Sequence, residues 1–379
     1  MANTNCLGPF DIQMMAQALK LASRGKSTCM PNPVVGCVLV KNGDVLSEGW
    51  HAIAGEGHAE INALNAAGEE AHGSTAYVTL EPCCHYGRTP PCVDALIAAG
   101  VVRVVFGATD PDPKISGNGL AKLKKAGILV EGPLLEAQAQ QLNQGYIKRH
   151  QCGQPWVTVK LAMSVDGRTA MDDGTSQWIT GFHARQDVQR LRANCCAIIT
   201  GVGTVLSDNP SLTVRCETGD DRALGEQESS RKLTSKQPLR VIVDSQLKTP
   251  VDAKVLSLPG RVLVASAVDK GMSDHDDVET ISLPNNNGEV DLTRLLKVLA
   301  EKGCNNVLIE AGSKLAGEFM LKGLVDELII YMAPKLLGSM ARPLFNLPFA
   351  SMDQQIELDI TDIRQVGNDW RITASPNKN

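Results

Sequence analysis

A histidine, a glutamate and two cysteines form the part of this sequence that is best suited to chemistry. Glu60 follows His58 by two residues, and Cys83, directly after Pro82, is followed later by Cys92. Histidine and cysteine are preferred zinc ligands, and three protein ligands leave the fourth tetrahedral position of zinc open for water. A nearby carboxylate can move protons between that water and a substrate. We therefore predict that His58, Cys83 and Cys92 bind zinc and that Glu60 is catalytic.

The order of these residues is typical of zinc-dependent base deaminases, which carry His-x-Glu followed by Pro-Cys-x-x-Cys. Here eight residues, rather than two, separate Cys83 from Cys92. The predicted chemistry is hydrolytic deamination, in which zinc-activated hydroxide attacks an amidine-like ring carbon and Glu60 moves the protons as ammonia leaves. Cys84 and His85 adjoin Cys83 and compete with it as ligands. We favour Cys83 because it stands directly at a strand end.

The apolar spacing around these residues predicts a layered α/β domain. A first helix should end near Gly25, and Asn42-Gly43 should turn a hairpin. The same patterns predict strands over 34–40, 44–50, 76–80 and 101–106, with helices over 59–67 and 92–99. His58 and Cys83 would both stand at strand-to-helix junctions, where loops converge and helix N-termini favour thiolates.

A polar segment that ends at Gly153 and Pro155 predicts a boundary between domains 1–150 and 151–379. In the second domain we predict strands over 156–161, 197–200, 239–243, 262–265 and 307–310, helices over 183–193, 291–302 and 313–321, and a hairpin around Gly367-Asn368. The polar stretch 217–237 predicts a mobile surface loop. The glycine-containing turn 310–317 could hold a diphosphate through backbone N–H groups, although a tight-packing turn is favoured for that segment taken alone.

Charge and composition restrict the partners. The 379 residues carry a net charge of −5, and neither half has the basic excess that nucleic-acid binding requires. We therefore expect a small-molecule substrate and no nucleic-acid partner. No apolar run approaches the roughly 20 residues that span a bilayer, and the start lacks a secretory pattern, so we expect no membrane partner and a cytoplasmic location. Seven cysteines are expected to be buried hydrophobes: Cys29, Cys37, Cys152, Cys195, Cys196, Cys216 and Cys304.

The long cysteine loop resembles a known family. The run 79–92 resembles the deaminase half of the bifunctional riboflavin-biosynthesis enzymes, with Cys84 in place of their usual serine, and 31–36 and 49–51 are also similar to family segments. The resemblance implies a cytidine-deaminase-like three-layer α/β fold. It further implies that Asn32 and His51 contact a pyrimidine, with Arg88 and Thr89 near the ribose phosphate, where a guanidinium forks well onto phosphate.

The resemblance extends over the second half, through 160–170, 176–180, 205–210, 212–215 and the segment at Glu310. It implies an α/β domain like dihydrofolate reductase that uses NADPH. The implied cofactor contacts are Ala162, Trp178, Thr204, Asp208, Ser245, Gly312, Ser313, Lys314, Leu315, Ala316, Gly317 and Glu318. The implied substrate contacts are Ser176, Arg192, Leu212, Arg215 and Glu310, with Arg192 and Arg215 suited to the phosphate.

Reduction of a ribosylamine needs a cation to polarise the group that is reduced and a carboxylate to assist proton movement or hold hydroxyls. Lys160, Asp208 and Glu310 are our catalytic candidates. The alternative is that Lys160 merely ends a strand and that Arg192 lies on a solvated helix face.

The resulting hypothesis is a two-step enzyme of riboflavin synthesis and a homo-oligomer. It deaminates 2,5-diamino-6-ribosylamino-4(3H)-pyrimidinone 5′-phosphate and then reduces the ribosyl group with NADPH, giving 5-amino-6-(5-phosphoribitylamino)uracil. The first alternative is a single-activity base or nucleoside deaminase whose second domain reduces nothing. The second alternative makes the C-terminal half a non-catalytic ligand-binding or oligomerisation module.

Overall fold

The computed structural model describes residues 7–86, 90–215, 237–271 and 277–377. The chain divides into two compact units, Met1–Gly153 and Gln154–Asn379. Within the described ranges, no helix combines the length and the apolar character that crossing a membrane requires. The loop expected over 217–237 lies, except for Gln237, outside the described residues.

The first unit contains a five-stranded mixed sheet with the order β2-β1-β3-β4-β5. The strands are β1 (Gly36–Lys41), β2 (Asp44–Trp50), β3 (Thr75–Val78), β4 (Arg103–Phe106) and β5 (Leu129–Glu131). Strand β1 pairs antiparallel with β2 and β3, whereas β3–β4 and β4–β5 are parallel. The predicted hairpin is confirmed, because Asn42 and Gly43 both have positive φ, at 55° and 89°.

Helices cover both faces of this sheet. They are α1 (Pro9–Ala22), α2 (Ala59–Ala67), α3 (Cys92–Ala98), α4 (Asn118–Lys125), α5 (Glu136–Leu142) and α6 (Gln144–Cys152), with 3₁₀ turns at Ser23–Gly25 and Gly68–Ala71. Alternate residues of β1 face opposite layers: Leu39 packs with α2, α3 and α4, and Val38 packs with α1. The expected three-layer, deaminase-like architecture is confirmed.

Glycine at the sheet surface brings α2 close to the strand beside it. A Cβ atom at Gly49 of β2 would lie 2.3 Å from the carbonyl oxygen of Ala59 and 2.5 Å from the backbone nitrogen of Ala63. Only glycine permits this approach. It fixes the start of α2, and with it His58 and Glu60, against the sheet.

The second unit contains a nine-stranded sheet with the order β11-β10-β9-β8-β12-β6-β13-β16-β15. Its strands are β6 (Trp156–Ser164), β8 (Ala197–Gly201), β9 (Leu239–Val243), β10 (Val262–Ser266), β11 (Val278–Ser282), β12 (Asn306–Ile309), β13 (Glu327–Ala333), β15 (Leu358–Val366) and β16 (Asp369–Pro376). The first seven strands in this spatial order, from β11 through β13, are all parallel to one another. Strand β16 pairs antiparallel with β13 and forms an antiparallel hairpin with β15. A separate two-stranded ladder joins β7 (Arg168–Ala170) to β14 (Arg342–Pro343).

Helices flank the large sheet as well. They are α7 (Phe182–Ala193), α8 (Val202–Asp208), α9 (Lys254–Ser257), α10 (Leu292–Glu301) and α11 (Ser313–Leu321), with a 3₁₀ turn at Met352–Gln354. Leu299 and Phe319, from α10 and α11, pack on one face, and Leu191 and Val205, from α7 and α8, contribute to clusters on the other. The expected reductase-type α/β fold is confirmed.

The burial of the cysteines follows the sequence only in part. Cys29, Cys37, Cys195 and Cys304 are buried and Cys196 is half-buried, as a small hydrophobe would be. Cys152 is exposed, so its predicted burial is wrong, because it occupies the last turn of α6, where the chain reaches the surface. Cys216 lies outside the described residues.

Candidate active sites

The predicted zinc ligands converge at the N-terminal ends of two helices. His58 is the residue that precedes α2, and Cys92 is the first residue of α3. The Nδ1 atom of His58 lies 3.2 Å from Sγ of Cys92 and 3.5 Å from Sγ of Cys83. The three ligand atoms all lie within 4.8 Å of one another. The structure therefore brings together the three residues that the sequence selected.

The arrangement fits a zinc ion. Zinc bonds of about 2.0 Å to nitrogen and about 2.3 Å to sulfur, at tetrahedral angles, separate the two ligand atoms by roughly 3.5 Å. The distances from His58 to the two thiols have this size. The competing Cys84 directs its Sγ toward the carbonyl oxygen of Lys114, 3.8 Å away, and the adjacent His85 is exposed. Cys83, rather than its neighbours, thus completes the donor set.

Local electrostatics prepare these groups for metal binding and proton transfer. Hydrogen bonds to the Cys83 sulfur lower the pKa of Cys83 to about 4. The donors are the Cys92 thiol, His58 and the Cys92 backbone N–H, whose nitrogen lies 3.3 Å from the sulfur. Burial, together with the charge of Cys83, raises the pKa of Glu60 to about 7. Glu60 is only 3% exposed. A carboxyl group whose pKa lies near neutrality can both accept and return a proton.

Asn32 and His51 form a hydrogen-bonded pair beside the zinc ligands. Nδ1 of His51 lies 3.1 Å from the Gly57 carbonyl oxygen and Nε2 lies 3.0 Å from Nδ2 of Asn32. Burial lowers the pKa of His51, which favours the neutral ring. A neutral ring that donates from Nδ1 to Gly57 accepts the Asn32 amide at Nε2. The His51 ring also meets the His58 ring edge to face, with 5.2 Å between centroids.

Two predicted phosphate contacts, Arg88 and Thr89, lie outside the described residues.

One residue of the motif that received no role from the sequence is Glu81, which is 3% exposed. Its carboxylate accepts backbone hydrogen bonds from Gly117 and Gly119, each at 3.0 Å. The only local signal for it was its place in the Glu-Pro-Cys run.

In the second unit, Glu310 and Lys160 stand on neighbouring parallel strands. Glu310 directly follows β12, whose last residue, Ile309, pairs with Val159 of β6. The guanidinium of Arg192 binds the Glu310 carboxylate through Nε to Oε1 at 2.6 Å and Nη2 to Oε2 at 2.9 Å. Burial alone would raise the pKa of Glu310, but Arg192 and Lys160 together hold it below its ordinary value. Burial lowers the pKa of Lys160.

Arg192 is 8% exposed, so the alternative that places it on a solvated helix face is wrong. Its Nη1 donates to the carbonyl oxygen of Thr213 at 3.0 Å, in addition to the two bonds with Glu310. Arg215, by contrast, has an exposed side chain, and its charge also lowers the pKa of Glu310. The two arginines that were predicted to share one role therefore differ in exposure: Arg192 is buried and Arg215 is exposed.

Several of the predicted cofactor residues lie at or shortly after the carboxyl ends of the parallel strands. The Gly312 N–H donates a hydrogen bond to Oγ1 of Thr204, with 3.3 Å between the two atoms. This bond connects the residue before α11 to the first turn of α8. Ser245 follows β9, and its hydroxyl accepts the Val290 N–H at 3.2 Å. Asp208 is the last residue of α8, and Ala162 lies within β6. Ligands of open parallel sheets bind at this edge.

The segment 312–318, which the structure shows as the start of α11 rather than as a turn, is not uniform in exposure. Gly312 and Lys314 are exposed, while Ser313 and Leu315 are half-buried. Ala316 is buried in the core, and the space beside Gly317 is filled by the Asn346 carbonyl oxygen. Glu318 pairs with Lys322 at 3.0 Å along the helix surface. Only the first turn of α11 therefore presents accessible backbone.

Three further predicted contacts differ in exposure. Trp178 is 63% exposed, with Arg185 stacked over its ring at 4.7 Å. Ser176 is half-buried. Leu212 is 3% exposed and packs in the core with Val205, so a ligand would meet its main chain rather than its side chain.

Comparisons with known proteins cover both units. Residues 155–372 match the family model described as the RibD C-terminal domain. Residues 9–108 match the cytidine and deoxycytidylate deaminase zinc-binding region. The riboflavin biosynthesis protein RibD of Escherichia coli (strain K12) is 48% identical over 362 residues, which cover 95% of this chain and 97% of that protein. The RibD protein of Haemophilus influenzae is 45% identical over 368 residues, 97% of each chain.

Solved structures agree. The chain is similar to Acinetobacter baumannii RibD with a TM-score of 0.87 and 44% identity, covering 97% of this chain and 99% of that one. It is also similar to a Thermotoga maritima diaminohydroxyphosphoribosylaminopyrimidine deaminase/5-amino-6-(5-phosphoribosylamino)uracil reductase. That TM-score is 0.85 at 31% identity, with the same coverage of 97% and 99%.

Proposed function

The chain belongs to the RibD family of riboflavin-biosynthesis proteins, and we propose from this premise how its own residues divide the two reactions. The family pairs a zinc-dependent deaminase with an NADPH-dependent reductase, and its substrate is a small phosphoribosyl pyrimidine. We assign deamination to residues 1–150 and reduction to residues 151–379. The first substrate is 2,5-diamino-6-ribosylamino-4(3H)-pyrimidinone 5′-phosphate, and the final product is 5-amino-6-(5-phosphoribitylamino)uracil.

For the deaminase, the convergence of His58, Cys83 and Cys92 is the observation that carries the proposal. A zinc ion held by these three residues would supply a water whose pKa is lowered toward about 7. Glu60 takes one proton from the attacking water at a carboxylate oxygen and delivers it to the ring nitrogen. It then takes a second proton from the hydroxyl group formed by the attack and delivers it to the amine, which leaves as ammonia. Its burial excludes bulk water from this transfer. Water is consumed and the exocyclic amine is replaced by oxygen.

Asn32 and His51 orient the pyrimidine in this proposal. Their mutual hydrogen bond fixes both side chains beside His58, so the Asn32 amide keeps its Oδ1 and one N–H for the pyrimidine ring while His51 holds that amide in place. Arg88 and Thr89 would hold the ribose phosphate, as the family resemblance implies. The chemistry of the guanidinium fork supports Arg88 in that role.

For the reductase, the buried Arg192–Glu310 pair next to Lys160 is the observation that carries the proposal. NADPH, when bound, would supply the hydride for reduction at the former anomeric carbon. The Lys160 ammonium polarises the group that is reduced, and Glu310 holds the sugar hydroxyls, with Asp208 assisting proton movement. Because Arg192 is committed to Glu310 and Thr213, we propose that Arg215 takes the phosphate and that Arg192 orients Glu310.

The cofactor is proposed to bind along the carboxyl edge of the sheet, with its diphosphate at the first turn of α11. The hydrogen bond between Gly312 and Thr204 supports this site because it aligns two predicted contact segments. Ala162, Trp178 and Ser245 would contribute to this site from the neighbouring strand ends and loop, and Ser176 would contact the substrate.

The Glu60→Gln variant tests the first site, and a coupled assay tests the second. E60Q should abolish deamination while zinc content and NADPH oxidation persist. NADPH oxidation measured with the deaminated intermediate should proceed in the parent. A chain with no oxidation, and no rise in melting temperature with NADPH, would instead favour a single-activity deaminase with a non-catalytic second unit.

We further propose that the protein forms a homo-oligomer through its β15–β16 hairpin. Ile360 pairs with Ala374 and Ile363 with Ile372, and directly opposed residues share one face of a sheet. Ile360 is 58% exposed, Ile363 55% and Trp370 43%, so this apolar face continues beyond the core. A second copy is the proposed occupant. Sedimentation should give an oligomer for the parent, and a shift toward monomer for Ile363→Asp.

A small-molecule partner and a cytoplasmic location complete the proposal. The net charge of −5 disfavours nucleic acid. Thiolate ligands such as Cys83 and Cys92 persist in reducing compartments, which supports the cytoplasmic location.

A further inference from the structure

Glu81 is a buried carboxylate for which the reaction has so far provided no role. It stands two residues before Cys83, and its backbone N–H donates to the Ala108 carbonyl oxygen at 2.8 Å. Its carboxylate accepts four backbone hydrogen bonds. Oε1 receives Gly119 at 3.0 Å and Leu120 at 3.4 Å, and Oε2 receives Gly117 at 3.0 Å and Asp110 at 3.4 Å.

These bonds tie the zinc loop to the start of α4. The N–H groups at a helix start lack partners within the helix, and a carboxylate there is favoured by the helix dipole. Glu81 therefore acts as a cap supplied from a distant segment. The contact is close, because a Cβ atom on Gly119 would lie 2.2 Å from the Pro82 carbonyl oxygen. The backbone immediately before Cys83 is thus pressed against α4.

Helix α4 is also linked to the second cysteine. Lys122 forms a 2.5 Å ion pair with Asp94, which lies in the first turn of α3, the helix that Cys92 begins. The Val93 N–H in turn donates to the Cys83 carbonyl oxygen at 3.2 Å. The two cysteine-bearing segments are therefore braced against the same helix and against each other.

We propose that Glu81 is a positioning residue of the zinc centre, which holds the Pro82–Cys83 backbone against α4 so that the Cys83 sulfur stays at ligand distance from zinc. This rests on the proposed His58, Cys83 and Cys92 site. Glu81 touches neither substrate nor metal; it acts through the loop that carries Cys83. Residues that orient metal ligands typically change metal affinity or activity about 10- to 100-fold when replaced.

Glu81→Gln is the direct test, because the amide keeps the size of the side chain but replaces one acceptor with a donor that faces backbone N–H groups. In the full chain, zinc release to a colorimetric chelator should be about 10- to 100-fold faster than in the parent. In the Co²⁺-substituted protein, the thiolate-to-metal absorption should change. The kcat of deamination should fall, with little change in KM and none in NADPH oxidation.

Two further variants separate positioning from general folding. Gly119→Ala should release zinc faster as well, because its Cβ displaces the Pro82 carbonyl. Asp110→Asn is the matched control: Asp110 is equally buried, and its carboxylate bonds Tyr146 and the Asp112 N–H instead of the α4 start. It should release zinc at the parental rate.

Parental zinc release and an unchanged cobalt spectrum in E81Q would overturn the inference. So would equal acceleration in D110N, or loss of NADPH oxidation in E81Q, since each would indicate a general effect on folding. A parent that binds no zinc would overturn the proposed ligand set itself. That result is distinguishable, because it appears before any variant is compared.

Discussion

Arg192 and Glu310 form a two-pronged ion pair whose side chains are each only 10% exposed. The Arg192 fork places its Nε and Nη2 on the two carboxylate oxygens of Glu310, 118 residues away in the sequence. A third bond, to the Thr213 carbonyl oxygen, fixes the guanidinium itself. The carboxylate therefore has one orientation toward Lys160, and the pair should respond to substitution as one unit.

Arg192→Met should destabilise the protein by about 3–5 kcal/mol, because it leaves the Glu310 carboxylate buried without its partner. The double variant R192M/E310Q should lose less than the sum of the two single variants. Urea unfolding measures both. Lys322→Met, which breaks the half-exposed pair with Glu318, is the control and should cost less than about 1 kcal/mol. Additive single effects at positions 192 and 310 would contradict a coupled pair.

The same pair predicts a pH dependence. The folded pKa of Glu310 is held below its ordinary value of 4.5, so the folded state favours the ionised form. The stabilisation that ionised Glu310 contributes to the folded state is therefore fully present at pH values above its ordinary pKa. It is lost as the pH falls through the lowered pKa of the folded state. The stability difference between the parent and E310Q should therefore be largest at neutral pH and shrink below about pH 4.5. A difference that grows in acid would reverse the assignment.

Much of the deaminase site was predictable because its information is local. The helix predicted over 59–67 has those bounds, and it begins directly after His58. Ligand types, their order and the strand-to-helix positions restricted the zinc set to His58, Cys83 and Cys92, which the structure brings together. The geometry adds that Cys84 turns away toward Lys114.

The remainder depends on partners distant in sequence. The acceptor role of Glu81 depends on N–H groups at 117 and 119, to which no spacing rule connects it. The burial of Arg192 depends on Glu310 in the same way. Strand Glu327–Ala333 was not predicted, although its unbroken apolar run is typical of strands that are covered on both faces.

Lys160→Met should abolish the reductase while leaving the fold intact. Burial lowers the pKa of Lys160, so its charged form is costly in the folded state, and methionine of similar length removes that cost. We expect NADPH oxidation with the deaminated intermediate to fall about 100- to 10,000-fold. The rate of deamination should be unchanged. The stability toward urea should be unchanged or slightly higher. Retained NADPH oxidation would exclude Lys160 from catalysis and favour its alternative role as a strand residue.

Gly312 and Gly317 offer a paired test of where the cofactor approaches α11. A Cβ atom at Gly317 would lie 2.5 Å from the Asn346 carbonyl oxygen, whereas one at Gly312 meets nothing within 4 Å. Gly317→Ala should therefore destabilise the protein by about 1–3 kcal/mol, since backbone must move. Gly312→Ala should cost at most about 1 kcal/mol, the loss of a favourable residue before a helix.

The order should reverse for cofactor binding. If the diphosphate approaches the exposed backbone at Gly312, a methyl group there occupies its space, and the Kd for NADPH should rise about tenfold, equivalent to about 1.4 kcal/mol. Isothermal titration with NADPH and urea unfolding, run on both variants, separate the two effects. Unchanged NADPH affinity in G312A would place the diphosphate elsewhere, because no other described contact of that position is altered. If G317A were as stable as the parent, the Asn346 backbone would have to move away at little cost. The close approach of that backbone would then not explain why glycine occupies position 317.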